Sequence, residues 1–405
     1  MRLNGQDNQS SEKCAVGNVD DVDRRRWNDR RGGCTFAWRF GRFVDRSLSI
    51  VDRLECLDGR QVESDVKRII VLGGLGLFGR TAAEHLRASG LSVLVASRRQ
   101  AADITVDADN PDSLRRVLRQ GDVVLDTAGP FQMRSTALIE AAIEIGFDVV
   151  DINDSLAYAN KIVGLEEGID HAHIRVLSSA SSVSAVAAAA VRLSRVEAPV
   201  RVSGLIAPAS RHTANPGSAR SLIRSVGHPV RAFRNGQFQT LLGWSESKPF
   251  WMPNPIGAVH GRLFESADSL YLPRIWPSLT DVDMFVDTNT FGINFLLSLA
   301  ARAPWLRRVL EHQVHFGTWF AKLIGSRAGG LGYEIESENG SVVTIAIVSG
   351  ECGFVTAVAP AILAVRQIVN GEFKSTGVVS PDQHVDVTAL CQFLAHRGVE
   401  VVRRD

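Results

Sequence analysis

Residues 67–80 read "KRIIVLGGLGLFGR": four apolar residues, Ile69 to Leu72, run straight into four glycines spaced among bulky apolar side chains. An apolar run without in-and-out alternation suits a strand buried on both faces. Glycine directly behind it supplies backbone that turns sharply and tolerates close neighbours. The segment Gly74-Leu75-Gly76-Leu77-Phe78-Gly79 fits G-x-G-x-x-G. Following a strand and opening a helix, it has the context of a dinucleotide-binding turn. In that reading Gly74 permits the turn, Gly76 lets the main chain approach a pyrophosphate, and Gly79 lets the helix close onto the strand. Leu77 and Phe78 begin the helix, whose first N–H groups and positive dipole end would meet the phosphates. The alternative is a glycine-rich turn without a ligand.

Outward from this turn the same unit repeats. "RTAAEHLRASG" reads as a helix closed by Gly90, and "LSVLVASRR" as a second buried strand. "DSLRRVLRQG" is a helix stopped by Gly121, "DVVLDTAGP" a strand, "STALIEAAIEIG" a helix stopped by Gly146, and "FDVVDIND" a strand. Buried strands separated by short helices predict a doubly wound parallel α/β domain over residues 67–190, with ligands at the carboxyl ends of its strands. At the end of the second strand, where an acidic side chain would take the ribose hydroxyls of NAD, the chain has Ser97, Arg98 and Arg99. These suit a 2′-phosphate, so NADP is favoured over NAD as the cofactor. Asp107 in "TVDADN" follows a short third strand and would meet the adenine edge or serve as a turn carboxylate. Ala128, Gly129, Pro130 and Phe131 follow the next strand as a rigid turn that would line the nicotinamide end. After "FDVVDIND" come the candidate acids. Asp154 is the first choice, set against a role as helix cap before "SLAYANKIV", and Tyr158 is the second, set against simple packing. Asp151 and His212 complete the candidates, while Arg211 and Arg220 would grip a substrate carboxylate or simply be solvated.

A chain of 405 residues exceeds what one core usually holds, so two domains are expected. Its 45 basic and 44 acidic residues give no broad field for nucleic acid. Five scattered cysteines without a CxxC pair argue against a disulfide scaffold or a zinc site, and no histidine pattern suggests another metal. With no apolar leader and no stretch of membrane-spanning length, a cytoplasmic protein is expected. Residues 1–66 are charge-dense and glycine-punctuated, and read as a poorly ordered extension. A basic nucleic-acid arm at Arg24 to Arg26 is weakened by the interleaved Asp20, Asp21, Asp23 and Asp29. Asn235-Gly236 and Asn339-Gly340 predict hairpins, hence an antiparallel sheet in a second, α+β domain over 191–354 for substrate or dimerisation. Two glycine-stopped helices in 355–405 would return to the first domain. The segment "TFGINFLLSLAARAPWLRRVLEHQVHFGTWFAKLIG" reads as amphipathic helices that cover the pocket, pack a homodimer or lie on a membrane surface. If they wall the pocket, a bulky hydrophobic substrate follows.

At these residues the chain resembles the saccharopine dehydrogenase-like NADP-binding oxidoreductases. "GGLGLFG", "ASRR" and "DTAGPF" occur in that family's order and spacing, "VVDINDSLAYA" and "VLSSASSVSAVAAAAV" are similar to its later stretches, and a looser likeness runs to the C-terminus. Ser178 and Ser184 stand where the family often has glycine and proline, and Ser155 where a charged residue is common. The resemblance implies a Rossmann domain joined to a substrate domain with an antiparallel sheet. It also implies hydride transfer between NADP(H) and a small molecule with a C=N or polarised C=C bond. The competing reading is a non-catalytic NADP(H)-sensing regulatory protein.

Overall fold

The computed structural model describes residues 67–351 and 353–405. The extension over 1–66, with its arginines, and Cys14, Cys34, Cys56 and Cys352 lie outside the described residues. The first half alternates strands and helices: β1 (Ile69–Leu72), α1 (Leu77–Ala88), β2 (Val93–Ser97), β3 (Ile104–Thr105), α2 (Pro111–Val117) and β4 (Val123–Asp126). It continues through α3 (Ala137–Ile145), β5 (Asp148–Asp151), α4 (Leu156–Val163), α5 (Glu166–His171), β6 (Arg175–Leu177) and α6 (Ala185–Ser194). Every residue of β1, β4 and β5 is buried, which is why their centres read as apolar runs without alternation, with β4 and β5 each ending in a carboxylate, Asp126 and Asp151. Gly146 ends α3 at φ 87°, a conformation that a side chain would resist.

The second half begins with β7 (Pro199–Ala207), α7 (Ser210–Thr213), α8 (Pro216–Ser225), β8 (Pro229–Arg234), β9 (Gln237–Leu242), β10 (Ser247–Phe250) and β11 (Val259–Phe264). Then come α9 (Asp268–Ile275), β12 (Asp281–Val286), α10 (Ile293–Arg302), α11 (Pro304–His312), α12 (Val314–Ile324), β13 (Gly329–Ser337) and β14 (Val342–Ser349). The chain closes with α13 (Ala359–Val369), β15 (Gly377–Val378), α14 (Val387–Ala395) and β16 (Val399–Arg404).

The first sheet has seven strands in the order β15-β6-β5-β4-β1-β2-β3, all parallel. The second runs β10-β11-β12-β7-β13-β14-β16, with the β8–β9 hairpin attached to β12. It is mixed, because β12 lies parallel to β7 while its other pairings are antiparallel. The antiparallel pairings expected from the hairpin signals make up all of this sheet but the β7–β12 pair. Asn235 and Gly236 turn β8 into β9 with φ of 52° and 73°, the two-residue turn that the dipeptide predicts. At the other Asn-Gly the hairpin forms through a longer loop. Glu336 pairs with Val342, only Gly340 of the pair has positive φ, and Asn339 Oδ1 accepts the Ser341 N–H at 2.9 Å.

Two helices are buried along most of their length. All of the first seven residues of α6 are alanine or valine, packed against β13 and β14, and α13 packs against β4, β5 and α1. An all-round apolar helix belongs inside a core, and these two share one cluster with Val71 and Val150 of the first sheet and Ile335 and Ile345 of the second.

Candidate active site

The turn after β1 is built differently from the sequence reading. The residue with positive φ is Gly73, at 71°, not Gly74. Gly74 is needed for closeness: a Cβ there would lie 2.7 Å from Val95 Cγ1 and 2.9 Å from the Val71 carbonyl oxygen. Gly79 is tighter, since a Cβ would come within 2.5 Å of both Gly73 O and Thr127 Oγ1. Both glycines therefore let α1 seat on the sheet. Gly76 is the exposed N-cap of α1, where a Cβ would meet nothing nearer than Gly73 O at 3.1 Å. Helix α1 has no side-chain cap and no acidic residue in its first turn. Its leading N–H groups, beginning with Leu77 and Phe78, and its positive end thus suit an anion. Across the β2 end, Ser97 Oγ accepts the Arg99 N–H at 3.3 Å. Arg98 and Arg99 are exposed, and Arg99 lines the cleft described below while Arg98 does not. This bare helix end, a glycine where phosphate would approach and a cation beside it fit a phosphorylated dinucleotide. Asp107 does not line the cleft. It closes a turn before α2, with Oδ1 accepting the Asp109 N–H at 3.1 Å and its own N–H donating to Ser113 Oγ at 3.0 Å.

Under the loop after β4 sits an ion pair that the sequence reading passed over. Asp126 and Arg134 are both buried, with Arg134 Nη2 3.0 Å from Asp126 Oδ2. Arg134 Nη1 donates to the Ala128 carbonyl at 2.8 Å, and Asp126 Oδ1 accepts the Ala128 N–H at 2.9 Å. The pair grips Ala128 from both sides and fixes the turn whose Gly129, Pro130 and Phe131 face the cleft. Its only trace in the sequence is a carboxylate ending an apolar strand, eight residues before an arginine.

The candidate acids separate clearly. Tyr158 is 1% exposed and lies off the cleft wall, its ring 5.5 Å from that of Phe131. Burial, then the nearby Asp126 and Asp151, push its hydroxyl well above its ordinary range, and that hydroxyl has no hydrogen-bond partner among the described residues. Asp151 is buried too. Its Oδ1 accepts the N–H groups of Ser179 at 2.8 Å and Asn153 at 2.9 Å, and burial raises the carboxyl to about 7. Asp154 lies on the cleft wall, where Gln132 Nε2 donates to its Oδ1 at 3.3 Å. Withdrawal from water pushes it to about 6. The cap of α4 is Ser155, whose Oγ accepts the Tyr158 N–H at 3.3 Å. The other two serines that depart from the resemblance serve buried carboxylates. Ser178 Oγ donates to Asp151 Oδ1 at 3.3 Å, and Ser184 Oγ to Asp268 Oδ1 at 2.8 Å.

A cleft of about 1040 Å³ begins at Gly76 and Arg99, passes Pro130, Asp154 and Val183, and crosses Ile206 of β7 and Met284 of β12. It continues between α8 and α10–α12, against Leu222, Leu297, Leu310, Val314 and Phe320. Among the described residues, Arg99 and Asp154 are the titratable side chains on its wall. The other polar candidates are elsewhere. Arg211 donates to the carbonyls of Leu323 at 3.0 Å and Gly325 at 3.2 Å, Arg220 meets His315 at 3.3 Å, and His212 is exposed.

Residues 69–177 match the family described as the saccharopine dehydrogenase NADP binding domain. Those residues belong to that family. NADP is accordingly the cofactor of this NADP binding domain. The chain is 30% identical over 118 residues to a lipid droplet localized protein of Caenorhabditis elegans, over 23% of this chain and 28% of that one. It is 30% identical over 115 residues to a trans-acting enoyl reductase of Mycobacterium tuberculosis, over 24% of this chain and 28% of the other. The matched stretches thus span 28% of the length of these curated relatives. Beyond the NADP binding domain the likeness is one of fold. Apo saccharopine dehydrogenase (L-Glu forming) from Saccharomyces cerevisiae superposes with a TM-score of 0.54 at 15% identity, over 84% of this chain and 99% of that one. Among the described residues no helix is long and apolar enough to cross a membrane.

Proposed function

We propose that the protein is an NADP-dependent oxidoreductase that transfers a hydride between NADP(H) and a polarised C=C or C=N bond carried on an apolar group. The observation that carries this reading is the continuity of the cleft, from the open N-terminus of α1, past Asp154, into an arm walled by apolar side chains. Within it, Arg99 at the dinucleotide end is the one cation among the described residues. An amino-acid imine would bring carboxylates with no partner along the arm, at a desolvation cost of several kcal/mol. A C=C bond conjugated to a carbonyl on an acyl chain brings none, so we place the α,β-unsaturated acyl group first. The enoyl reductase among the partial relatives is in keeping with that order.

When bound, NADPH supplies the hydride. The chain supplies the rest. Gly76 and the first N–H groups of α1 would hold the diphosphate, and Ser97 and Arg99 the 2′-phosphate through charge-assisted bonds. The turn held by Asp126 and Arg134 walls the cleft beside Asp154. Addition of hydride to one carbon of the double bond leaves the other needing a proton, and Asp154, raised to about 6, is the group on the wall able to hold one. The apolar arm keeps water from the reacting carbons.

Consumption of NADPH with a medium-chain α,β-unsaturated acyl thioester, a cyclic imino acid and a polyamine imine tests the reading. Turnover of the acyl thioester and not of the imines is expected. NADPH binding without turnover of any of the three contradicts catalysis and favours the sensing role.

A further inference from the structure

The helices that wall the far arm of the cleft are bare on their other side. Phe291 is 91% exposed, Phe295 on α10 76% and Trp305 on α11 68%. On α12, Phe316, Trp319 and Leu323 form an exposed stripe at helical spacing, with Phe316 and Trp319 rings 5.7 Å apart. Isolated exposed apolar residues are ordinary, but such a series on three consecutive short helices makes a surface. The inward residues Leu297, Leu310 and Val314 line the cleft, so the wall is one helix thick. Phe316 belongs to both sides, lining the cleft while exposed, so the cavity reaches the surface at the aromatic face.

Charge identifies the occupant. In a chain of net charge +1, α8 and α10–α12 carry Arg220, Arg224, Arg302, Arg307, Arg308 and Lys322 against a single acid, Glu311. Arg224, Arg302, Arg308 and Lys322 are exposed, and none pairs with a carboxylate among the described residues. Aromatic side chains flanked by cations on amphipathic helices match the boundary of an anionic lipid leaflet, where the rings enter the acyl margin and the cations meet the headgroups. A second copy docking through the same face would set these cations against each other. We infer that α10–α12 form a docking surface for an anionic lipid membrane, placing the opening at Phe316 against lipid. Docking rests on the exposed face alone; delivery of an apolar substrate through that opening rests also on the reductase reading.

The test is co-sedimentation of the full chain with vesicles of phosphatidylglycerol and phosphatidylcholine in equal parts, and of phosphatidylcholine alone. The chain is expected on the anionic vesicles and to be released by raised salt. W305S/W319S and R302E/R308E should each lower the bound fraction at least about tenfold with NADPH affinity unchanged. Wild-type chain left in the supernatant with both vesicles overturns the proposal, as does undiminished binding by W305S/W319S. So does a wild-type dimer that ignores vesicles and dissociates on W305S/W319S substitution. If that variant fails to fold, quenching of wild-type tryptophan emission by brominated phosphatidylglycerol decides: quenching supports docking, and its absence overturns it. Because NADPH binding is read separately, failure here does not touch the reductase reading.

Discussion

A carboxyl that titrates near 6 is protonated in about a tenth of molecules at neutral pH, so the proton supply of Asp154 shrinks as pH rises. For a donor the acid form is the working one. Turnover should therefore be level below about pH 6 and fall roughly tenfold per unit above it. D154N should remove that inflection and lower kcat by roughly 10²- to 10⁴-fold with NADPH affinity unchanged, as read from pH–rate profiles beside binding titrations. The neighbouring cofactor contact has a different readout. A hydrogen bond to a charged group is worth about 1.5–3 kcal/mol. R99A should thus weaken NADPH binding by one to two orders of magnitude and leave NADH nearly unaffected, whereas R98A should change neither. The choice between these arginines was not legible in the sequence, because "ASRR" shows two adjacent cations and only the fold puts Arg99 on the cleft wall. Asp154 was legible as a carboxylate after a buried strand; that Ser155 takes the capping role was not, since either side chain could cap the helix.

Among the elements, the strand-to-helix turn separates packing from binding. Gly79 touches Gly73 and Thr127 so closely that G79A must push α1 off the sheet, at a cost of about 1–3 kcal/mol or more, visible as a lower denaturant midpoint. The α9 terminus carries a second stability signal. Burial raises Asp268 to about 6 in the fold, against an ordinary value of 3.8. The folded chain holds that proton more tightly across this window, so stability is lost as pH rises from 3.8 to about 6. D268N can still accept the Ser184 bonds through Oδ1, and it should be more stable than wild type by about 1–3 kcal/mol above that window and lose the advantage below it. The difference between the two proteins is the readout, because burial also raises Asp151 and Asp154. Elements with a strong local code, such as β1, β4, β5 and the Asn235-Gly236 hairpin, were plain in the sequence. β15 was not: two residues carry no periodicity, and their partner β6 lies some two hundred residues earlier.

For the whole molecule, the shared core makes the two sheets one folding problem. β15 extends the first sheet and β16 the second, and α14 buries Leu390, Phe393 and Leu394 between these strands in sequence. A chain ending at Asn370 should therefore lose its cooperative melt altogether, and an intact melt with NADPH binding would show the two halves to be independent. The sequence displayed the doubly wound half because its strands are buried on both faces. It hid the size of the cleft, because that depends on α8 and α10–α12 meeting across nearly a hundred residues. The central claim is that the open end of α1 holds the dinucleotide, and calorimetric titration with NADPH of wild type and G76A tests it most directly. Saturable binding at one site is predicted for wild type, tighter than for NADH, together with a loss of at least about tenfold in G76A at unchanged melting temperature. Equal affinity of the two proteins for NADPH, or heats no greater than dilution at millimolar ligand, would contradict it.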